Sequence, residues 1–189
     1  MPTVIIDLDH TLLDTTRFKQ ALAKSLGLST AKWDEIYEQF VADNGLFSPT
    51  DFLAGASTEQ RNQFYKTLNQ LPSFLYPDSL TFLDRVLKQH WQVIILTFGD
   101  KPWQQLKLKH LPLPKVVRTI TTDLSKHLII KDLLDTKKTI VIDDNAKELD
   151  AIKRAYPEII TYWMQRPNGK YHTKPINVNF CINNLTINL

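Results

Sequence analysis

Cysteine is nearly absent from this sequence. Cys181 is the only cysteine among the 189 residues, which excludes a disulfide within the chain. A chain without disulfides fits a reducing compartment, and we expect a cytoplasmic protein.

Long hydrophobic runs are also missing. The longest apolar runs, such as residues 93–96 (VIIL), have the length of a strand and fall far short of the ~20 residues that a membrane span needs. Asp7, Asp9 and Asp14 interrupt the first 20 residues, so no signal peptide is expected there. We therefore expect no membrane partner.

The sequence contains no motif typical of nucleic-acid binding, so nucleic acid is not an expected partner. The net charge is only +3, but basic residues concentrate between Lys101 and Lys138. Two interpretations of this stretch stay open. It is either a solvated helical face or a source of attraction for an anionic substrate.

The composition is that of a soluble globular protein, with 43% apolar and 23% charged residues. Short β-branched or apolar runs alternate with helical patterns along most of the chain, which is typical of a parallel sheet covered on both faces. The sequence thus predicts an α/β fold with a Rossmann-like parallel sheet sandwiched by helices. The predicted strands are residues 2–8, 91–96, 116–121, 139–142 and 159–163.

One long segment between the first two strands contains helix signals only. Apolar stripes recur at helical spacing in residues 18–26 and 33–41, and Ser57 with Gln60 forms a capping box before a third helix. We predict a small all-α cap over residues 14–77, inserted into a core of residues 1–13 and 78–189. The structure of residues 176–189 is left open.

Carboxylates cluster where two predicted strands end. Asp7 and Asp9 follow the first strand, and Asp143-Asp144 follows the run at 139–142. If both strands are central in one parallel sheet, their carboxyl ends are adjacent, and four acidic groups meet in the crevice where such sheets bind ligands. Because oxygen ligands suit magnesium, a Mg²⁺ site is predicted there. The alternative is that one aspartate of the pair caps the helix that begins near Asn145.

A hydroxyl and a lysine complete the predicted site. Thr97 and Gly99 lie at the end of the second strand, where a hydroxyl and backbone N–H groups are available to a substrate oxyanion. Two lysines, Lys126 and Lys131, precede Asp143 by 17 and 12 residues. We favour Lys126, since 17 residues accommodate the rest of a helix, a loop and a strand.

The order of these residues resembles the haloacid dehalogenase-like superfamily, in particular members with a helical cap inserted after the first motif. The motifs are D-x-D-x-T from Asp7, then Thr97, a lysine, and Asp143-Asp144. The resemblance covers nearly the whole chain. It extends to residues 76–87 before the second motif and to Gln104 and Lys107 after it. The chain departs from the pattern at His10, where many members have glycine, and His10 is interpreted as a packing or hydrogen-bonding residue.

The resemblance implies a magnesium-dependent phosphatase. Asp7 would attack phosphorus and be transiently phosphorylated, and Asp9 would act as general acid and base. The carboxylates of Asp7 and Asp144, supported by Asp143, and the backbone carbonyl of Asp9 would hold Mg²⁺.

The resemblance also implies that Thr97 and Lys126 hold the phosphoryl oxygens, with Gly99 beside them. The expected substrate is a small phosphorylated metabolite, and the oligomeric state is left open.

Three alternatives remain at this point. A receiver-like signalling module also accepts phosphate on aspartate, but its acidic pair comes early in the chain rather than after the lysine. A catalytically idle relative is expected to have lost an aspartate, and none is lost here. A phosphotransferase or a dehalogenase on the same scaffold is the nearest rival, although a dehalogenase has no need for Asp9 or for the acidic pair.

Overall fold

The β-branched runs of the sequence form one six-stranded parallel sheet. The computed structural model describes residues 1–133, 138–170 and 172–189. The strand order is β3-β2-β1-β4-β5-β6, and every neighbouring pair is parallel. The strands are β1 Thr3–Ile6, β2 Gln92–Phe98, β3 Arg118–Thr122, β4 Thr139–Asp143, β5 Ile160–Met164 and β6 Phe180–Ile182.

Helices cover both faces of the sheet, which is what parallel strands need to bury their two apolar faces. Alternate residues of β1 show this directly, since Val4 and Ile6 belong to one apolar core and Ile5 to the other. The helices are α1 Thr15–Ser25, α2 Thr30–Asn44, α3 Pro49–Phe52, α4 Thr58–Leu68, α5 Ser79–Lys88, α6 Lys101–His110, α7 Lys126–Ile130 and α8 Ala146–Ala155, with 3-10 turns at Leu71–Phe74 and Lys131–Leu133.

The register of the central strands sets the position of the site. Ile6 at the end of β1 lies opposite Ile95 of β2 and Ile142 of β4. The next residue, Asp7, still donates its backbone N–H to the carbonyl of Ile142 at 2.9 Å. The chain order reverses at β1, and ligands of open α/β sheets bind outside the carboxyl ends of the strands at such a reversal.

Between β1 and α5, the described chain forms helices joined by loops, with two isolated β-bridges, Asp9–Leu13 and Leu13–Leu75. We call residues 14–77 the insert. Its two ends are tied together, because Leu13 and Leu75 form an antiparallel bridge and the N–H of Tyr76 donates to the carbonyl of Leu12. Within the insert, the capping box predicted at Ser57 is present at the start of α4. The division of the chain into two domains at these boundaries stays a prediction.

Several details differ from the sequence-based expectations. The open segment at residues 176–189 contains a sixth strand, β6, which pairs with β5. The helical spacing of Leu80, Leu83 and Leu87 predicts an apolar face on α5, and there Leu83 is buried together with Phe82 and Val86, whereas Leu80 is 38% exposed. Leu124 and Leu128, which are also at helical spacing, are both 54% exposed.

In the described parts of the chain, no helix combines the length and the apolar character that crossing a membrane requires. Residues 134–137, within the basic stretch noted above, lie outside the described residues.

Candidate active site

A buried lysine joins two aspartates at the ends of β1 and β4. Lys126 Nζ donates to Asp7 Oδ1 at 2.5 Å and to Asp143 Oδ2 at 2.6 Å. All three side chains are almost completely buried. Burial alone would lower the pKa of the Lys126 ammonium, but Asp143 and Asp7 raise it above its usual range. Lys126 therefore stays charged beside Asp7.

The start of α7 places Lys126 in this position. The backbone N–H of Lys126 donates to Glu148 Oε2 at 2.9 Å, and the hydroxyl of Ser125 donates to the same oxygen at 2.8 Å. Glu148, on α8, was not identified from the sequence as part of the site. Lys131 is exposed in the 3-10 turn that follows α7. Of the two candidate lysines, the structure thus brings Lys126 to Asp7.

Asp7, Asp143 and Asp144 form a compact group of acceptors. Each offers one carboxylate oxygen, and these oxygens lie within 4.8 Å of one another. Burial raises the pKa of Asp7 to about 7, although Lys126 opposes the rise. Burial, followed by repulsion from Asp7 and Asp143, raises the pKa of Asp144 to about 9.

The donor set fits a divalent cation. Among the described residues, Asp144 Oδ2 is buried and accepts no hydrogen bond, whereas buried carboxylate oxygens are ordinarily paired. A hard cation bound by these carboxylates would satisfy this oxygen and offset their repulsion. The backbone at the site is fixed, since Trp163 Nε1 donates to the carbonyl of Asp144 at 2.9 Å.

Helix capping does not explain the acidic pair. The N-cap of α8 is Asn145, whose side chain accepts from the N–H of Lys147. Asp143 Oδ1 accepts the N–H of Asn145 at 2.8 Å while its Oδ2 faces Lys126. Asp143 thus has a supporting role in the turn and a second role in the charged cluster.

Thr97 and Gly99, at the end of β2, differ in whether their polar groups are already paired. Thr97 is fully buried, and its hydroxyl has no partner among the described residues. The N–H of Gly99 already donates to the carbonyl of Thr122 at 2.8 Å, so it is not offered to an oxyanion in this geometry. A Cβ at Gly99 would lie 2.7 Å from Gln104 Nε2. Gly99 therefore makes room for Gln104, and its role in substrate binding stays a prediction.

Asp9 is held by three side chains that the sequence did not connect with it. Lys107 Nζ lies 2.6 Å from both carboxylate oxygens, Gln104 Nε2 donates at 3.1 Å, and the hydroxyl of Thr15 donates at 2.7 Å. Burial would raise the pKa of Asp9, but Lys107 and Thr15 hold it well below its usual range. Asp9 is thus ionised in this geometry. The only signal in the sequence was that Gln104 and Lys107 follow the second motif.

The backbone conformation of His10 explains why many members of the superfamily have glycine where this chain has histidine. Its φ is +60°, in the left-handed region that glycine adopts most easily. His10 is 6% exposed, and its Nδ1 has no partner among the described residues. Burial lowers the pKa of His10 to about 4, so the imidazole is neutral.

A buried arginine braces the loop that carries Asp7 and Asp9. Arg166 donates to the carbonyl of Thr11 and forms a two-point ion pair with Asp78 at 2.7 and 2.8 Å. Asp78 also accepts the N–H of Leu185 from the C-terminal segment. These three segments are far apart in sequence, which is why no local pattern indicated the contact.

A cavity of about 250 Å³ extends from the aspartate cluster to the insert. Asp7, Asp9, Asp143, Asp144 and Lys126 line its core side. Residues of α1, α2 and the segment after α2 line the same cavity, so the insert borders the space that the cluster faces. Thr97 is not among the lining residues.

A Rossmann-like parallel sheet with an aspartate–lysine cluster at the reversal of its strand order is the arrangement of an α/β enzyme. The sequence profile of the haloacid dehalogenase-like hydrolases matches residues 1–155, and the chain belongs to this family. No curated protein matches the sequence.

Solved structures support the fold over the whole chain. A putative haloacid dehalogenase-like hydrolase from Burkholderia xenovorans is 20% identical with a TM-score of 0.71, covering 97% of this chain and 93% of that one. A defluorinating L-2-haloacid dehalogenase is 14% identical with a TM-score of 0.68, covering 98% and 92%. A putative HAD-hydrolase from Bacillus subtilis, bound to magnesium, is 16% identical with a TM-score of 0.60, covering 97% and 95%. At these identities the likeness concerns the fold alone.

Proposed function

We propose that this hydrolase is a magnesium-dependent phosphatase that cleaves a small phosphate monoester through a phosphorylated Asp7. The observation that carries the proposal is the buried, unpartnered oxygen of Asp144 beside Asp7 and Asp143. A group of carboxylates built for a cation is useful when the substrate is a phosphate dianion, because the cation offsets the repulsion between substrate and nucleophile.

Mg²⁺ would be held by Asp7, Asp144 and the backbone carbonyl of Asp9, with Asp143 in support, and it would supply positive charge to the phosphoryl oxygens. Lys126 adds a second positive charge next to the Asp7 carboxylate. Thr97, with its unpartnered hydroxyl, is the proposed further contact to the phosphoryl group.

In the first half of the reaction, a carboxylate oxygen of Asp7 attacks phosphorus and the bond to the ester oxygen breaks. The ester oxygen leaves with the electron pair and takes a proton from Asp9. In the second half, Asp9 removes a proton from water, the water oxygen attacks phosphorus, and Asp7 is released with inorganic phosphate.

The contact between Lys107 and Asp9 affects the first half of the reaction, in which Asp9 has to donate a proton. While Lys107 lies 2.6 Å from both oxygens, Asp9 stays ionised and has no proton to donate. Proton donation therefore requires that the Asp9 side chain leave Lys107. The ionised geometry is already suited to the second half, in which Asp9 acts as a base.

The insert, residues 14–77, is proposed to act as a cap that excludes water and contacts the leaving group. The insert residues that line the same cavity as the cluster, and the closely tied ends at Leu13 and Leu75, support this role. We also propose a cytoplasmic location, for which the single cysteine is the argument.

The rival functions make less use of this site. A dehalogenase has no evident use for the buried Asp144 oxygen or for the Asp9–Lys107 pair. A signalling module has no evident use for a cavity that extends from Asp7 into the insert.

A substrate screen tests the proposal. Purified protein is assayed for phosphate release from acetyl phosphate and a panel of phosphate monoesters with Mg²⁺, with a chelator control. L-2-chloropropionate is assayed in parallel for chloride release. Phosphate release that is lost with the chelator is the expected result, whereas chloride release without metal and no phosphate release would overturn the proposal.

A further inference from the structure

The insert side of the cavity is lined mainly by apolar and aromatic side chains. We call the space that they enclose with Trp103 of α6 the leaving-group chamber. Its lining residues from the insert include Phe18, Leu22, Trp33, Tyr37 and Phe47. The rings pack against one another, with centroids 6.2 Å apart for Phe18 and Trp103 and 6.2 Å for Phe47 and Trp103. None of the carboxylates that line the cavity comes from the insert.

An exposed ring extends the apolar surface towards the reaction centre. Phe98, at the end of β2, lines the cavity and is 43% exposed, although aromatic side chains are usually more buried. A sugar would bring hydroxyl groups against these rings, and hydroxyls removed from water without partners are unfavourable. The chamber is therefore suited to an apolar ring.

Two lysines, Lys19 and Lys170, line the cavity in addition to the lysines that pair with the aspartates. Of these two, Lys19 places its Nζ 3.7 Å from the centre of the Tyr37 ring. In the described ranges, no carboxylate forms an ion pair with Lys19. Burial, followed by repulsion from Lys170, lowers the pKa of Lys19 to about 8. A bound anion would offset both the cost of burying the Lys19 charge and its repulsion from Lys170.

A hydrogen-bond donor lies on the same side of the chamber. Trp33 is 1% exposed, and its Nε1–H has no acceptor among the described residues. Trp33 and Tyr37 are four residues apart on α2 and so share one helix face. The Nε1–H donor of Trp33 therefore lies on the same face of α2 as Tyr37, and the ring of Tyr37 contacts the ammonium of Lys19.

We propose that the leaving group of the substrate is a single apolar ring that carries a second acidic group, received by Lys19 and Trp33. This inference rests on the proposed function and specifies its substrate class. The cavity of about 250 Å³ lies just below the range of ordinary ligand pockets, which begins at roughly 300 Å³, and this fits one ring together with the phosphoryl group.

Two aryl esters that differ in one charge test the inference. The specificity constant kcat/KM is measured with Mg²⁺ for 4-carboxyphenyl phosphate, phenyl phosphate, glucose 6-phosphate and acetyl phosphate. We expect both aryl esters to exceed glucose 6-phosphate. We define the charge preference as kcat/KM for 4-carboxyphenyl phosphate divided by kcat/KM for phenyl phosphate. In Lys19→Met this ratio should fall about tenfold, which is the scale of one lost charged contact. Because the ratio is compared between variants, the difference in leaving-group chemistry cancels.

Two further variants control for folding and for charge. Lys19→Arg keeps the charge and should restore most of the ratio. Lys24→Met makes the same change at an exposed position of the same helix and should leave the ratio at the parent value. An unchanged ratio in Lys19→Met, or a preference for glucose 6-phosphate in the parent, overturns the inference.

A binding measurement separates this inference from the proposed function. 4-Hydroxybenzoate, the product without phosphate, should quench the tryptophan fluorescence of the parent protein, because Trp33 and Trp103 line the chamber. The quenching should be lost in Lys19→Met. If no phosphate compound is hydrolysed, acetyl phosphate included, the proposed function fails, and the binding result still decides the inference. Quenching that does not depend on Lys19 overturns it.

Discussion

Raising the pH of the metal-free protein should weaken the folded state and at the same time strengthen Mg²⁺ binding. Both effects come from Asp7 and Asp144, whose pKa values are raised from 3.8 to about 7 and about 9. In the metal-free protein Asp144 holds a proton at neutral pH. Because a cation binds the ionised carboxylate, Mg²⁺ has to displace this proton.

The sign of the stability change follows from where the protons are bound. The raised pKa values mean that the folded protein binds protons that the unfolded chain releases near pH 3.8. The stabilisation is fully present below that pH and is lost as the pH rises through about 7 and then about 9. Between pH 7 and 9, Asp144 alone should cost the folded state about 2 kcal/mol.

The change in metal affinity follows from the same proton. Around pH 8 about one proton leaves per Mg²⁺ bound, so the apparent Kd should fall about tenfold per pH unit there, and the dependence should flatten as the pH approaches 9. Below pH 7 the dependence should steepen, because Asp7 also holds a proton there. The stabilisation that saturating Mg²⁺ gives should therefore grow with pH.

Urea unfolding with chelator or with Mg²⁺ measures the stability, and titration calorimetry in two buffers of different ionisation enthalpy counts the released protons. Asp144→Asn should flatten the pH dependence and abolish Mg²⁺ stabilisation. Asp84→Asn changes an exposed aspartate of α5 and should behave like the parent. Metal-free protein that becomes more stable from pH 7 to 9, or Mg²⁺ binding without proton release, would refute the reasoning.

Three further predictions concern single side chains. Asp7→Asn should keep its circular dichroism spectrum and lose phosphatase turnover by orders of magnitude, since an amide does not attack phosphorus, and near-parental turnover would contradict this. Lys126→Ala should lose ~10²-fold or more in kcat, whereas the exposed Lys131→Ala should keep parental kinetics; the reverse pattern would assign the role to Lys131. Lys107→Met should lower the free energy of unfolding at pH 7 by about 3 kcal/mol, because it leaves the Asp9 charge unpaired, and adding Asp9→Asn should recover part of that loss. A double variant no more stable than Lys107→Met would show that the lost stability comes from packing.

The sequence by itself determined the sheet and the acidic cluster. Strongly apolar, β-branched runs such as residues 3–6 leave few alternatives to a buried parallel strand, and helices between them fix the parallel connections. The aspartates that follow two central strands then converge, because the carboxyl ends of parallel strands share one edge. Asp7, Asp143 and Asp144 needed only these local patterns and the strand order, and all three lie together.

Only the tertiary structure decided which side chains pair around that cluster. Lys107 and Asp9 are 98 residues apart, and Arg166 and Thr11 are 155 apart, so no periodicity or spacing relates them. The packing of helices and strands likewise decided that the N–H of Gly99 donates to the carbonyl of Thr122 and that the Lys126 side chain is buried. Strand and helix periodicity is a property of neighbouring residues, whereas the partner of a buried charge is set by whichever distant segment packs against it.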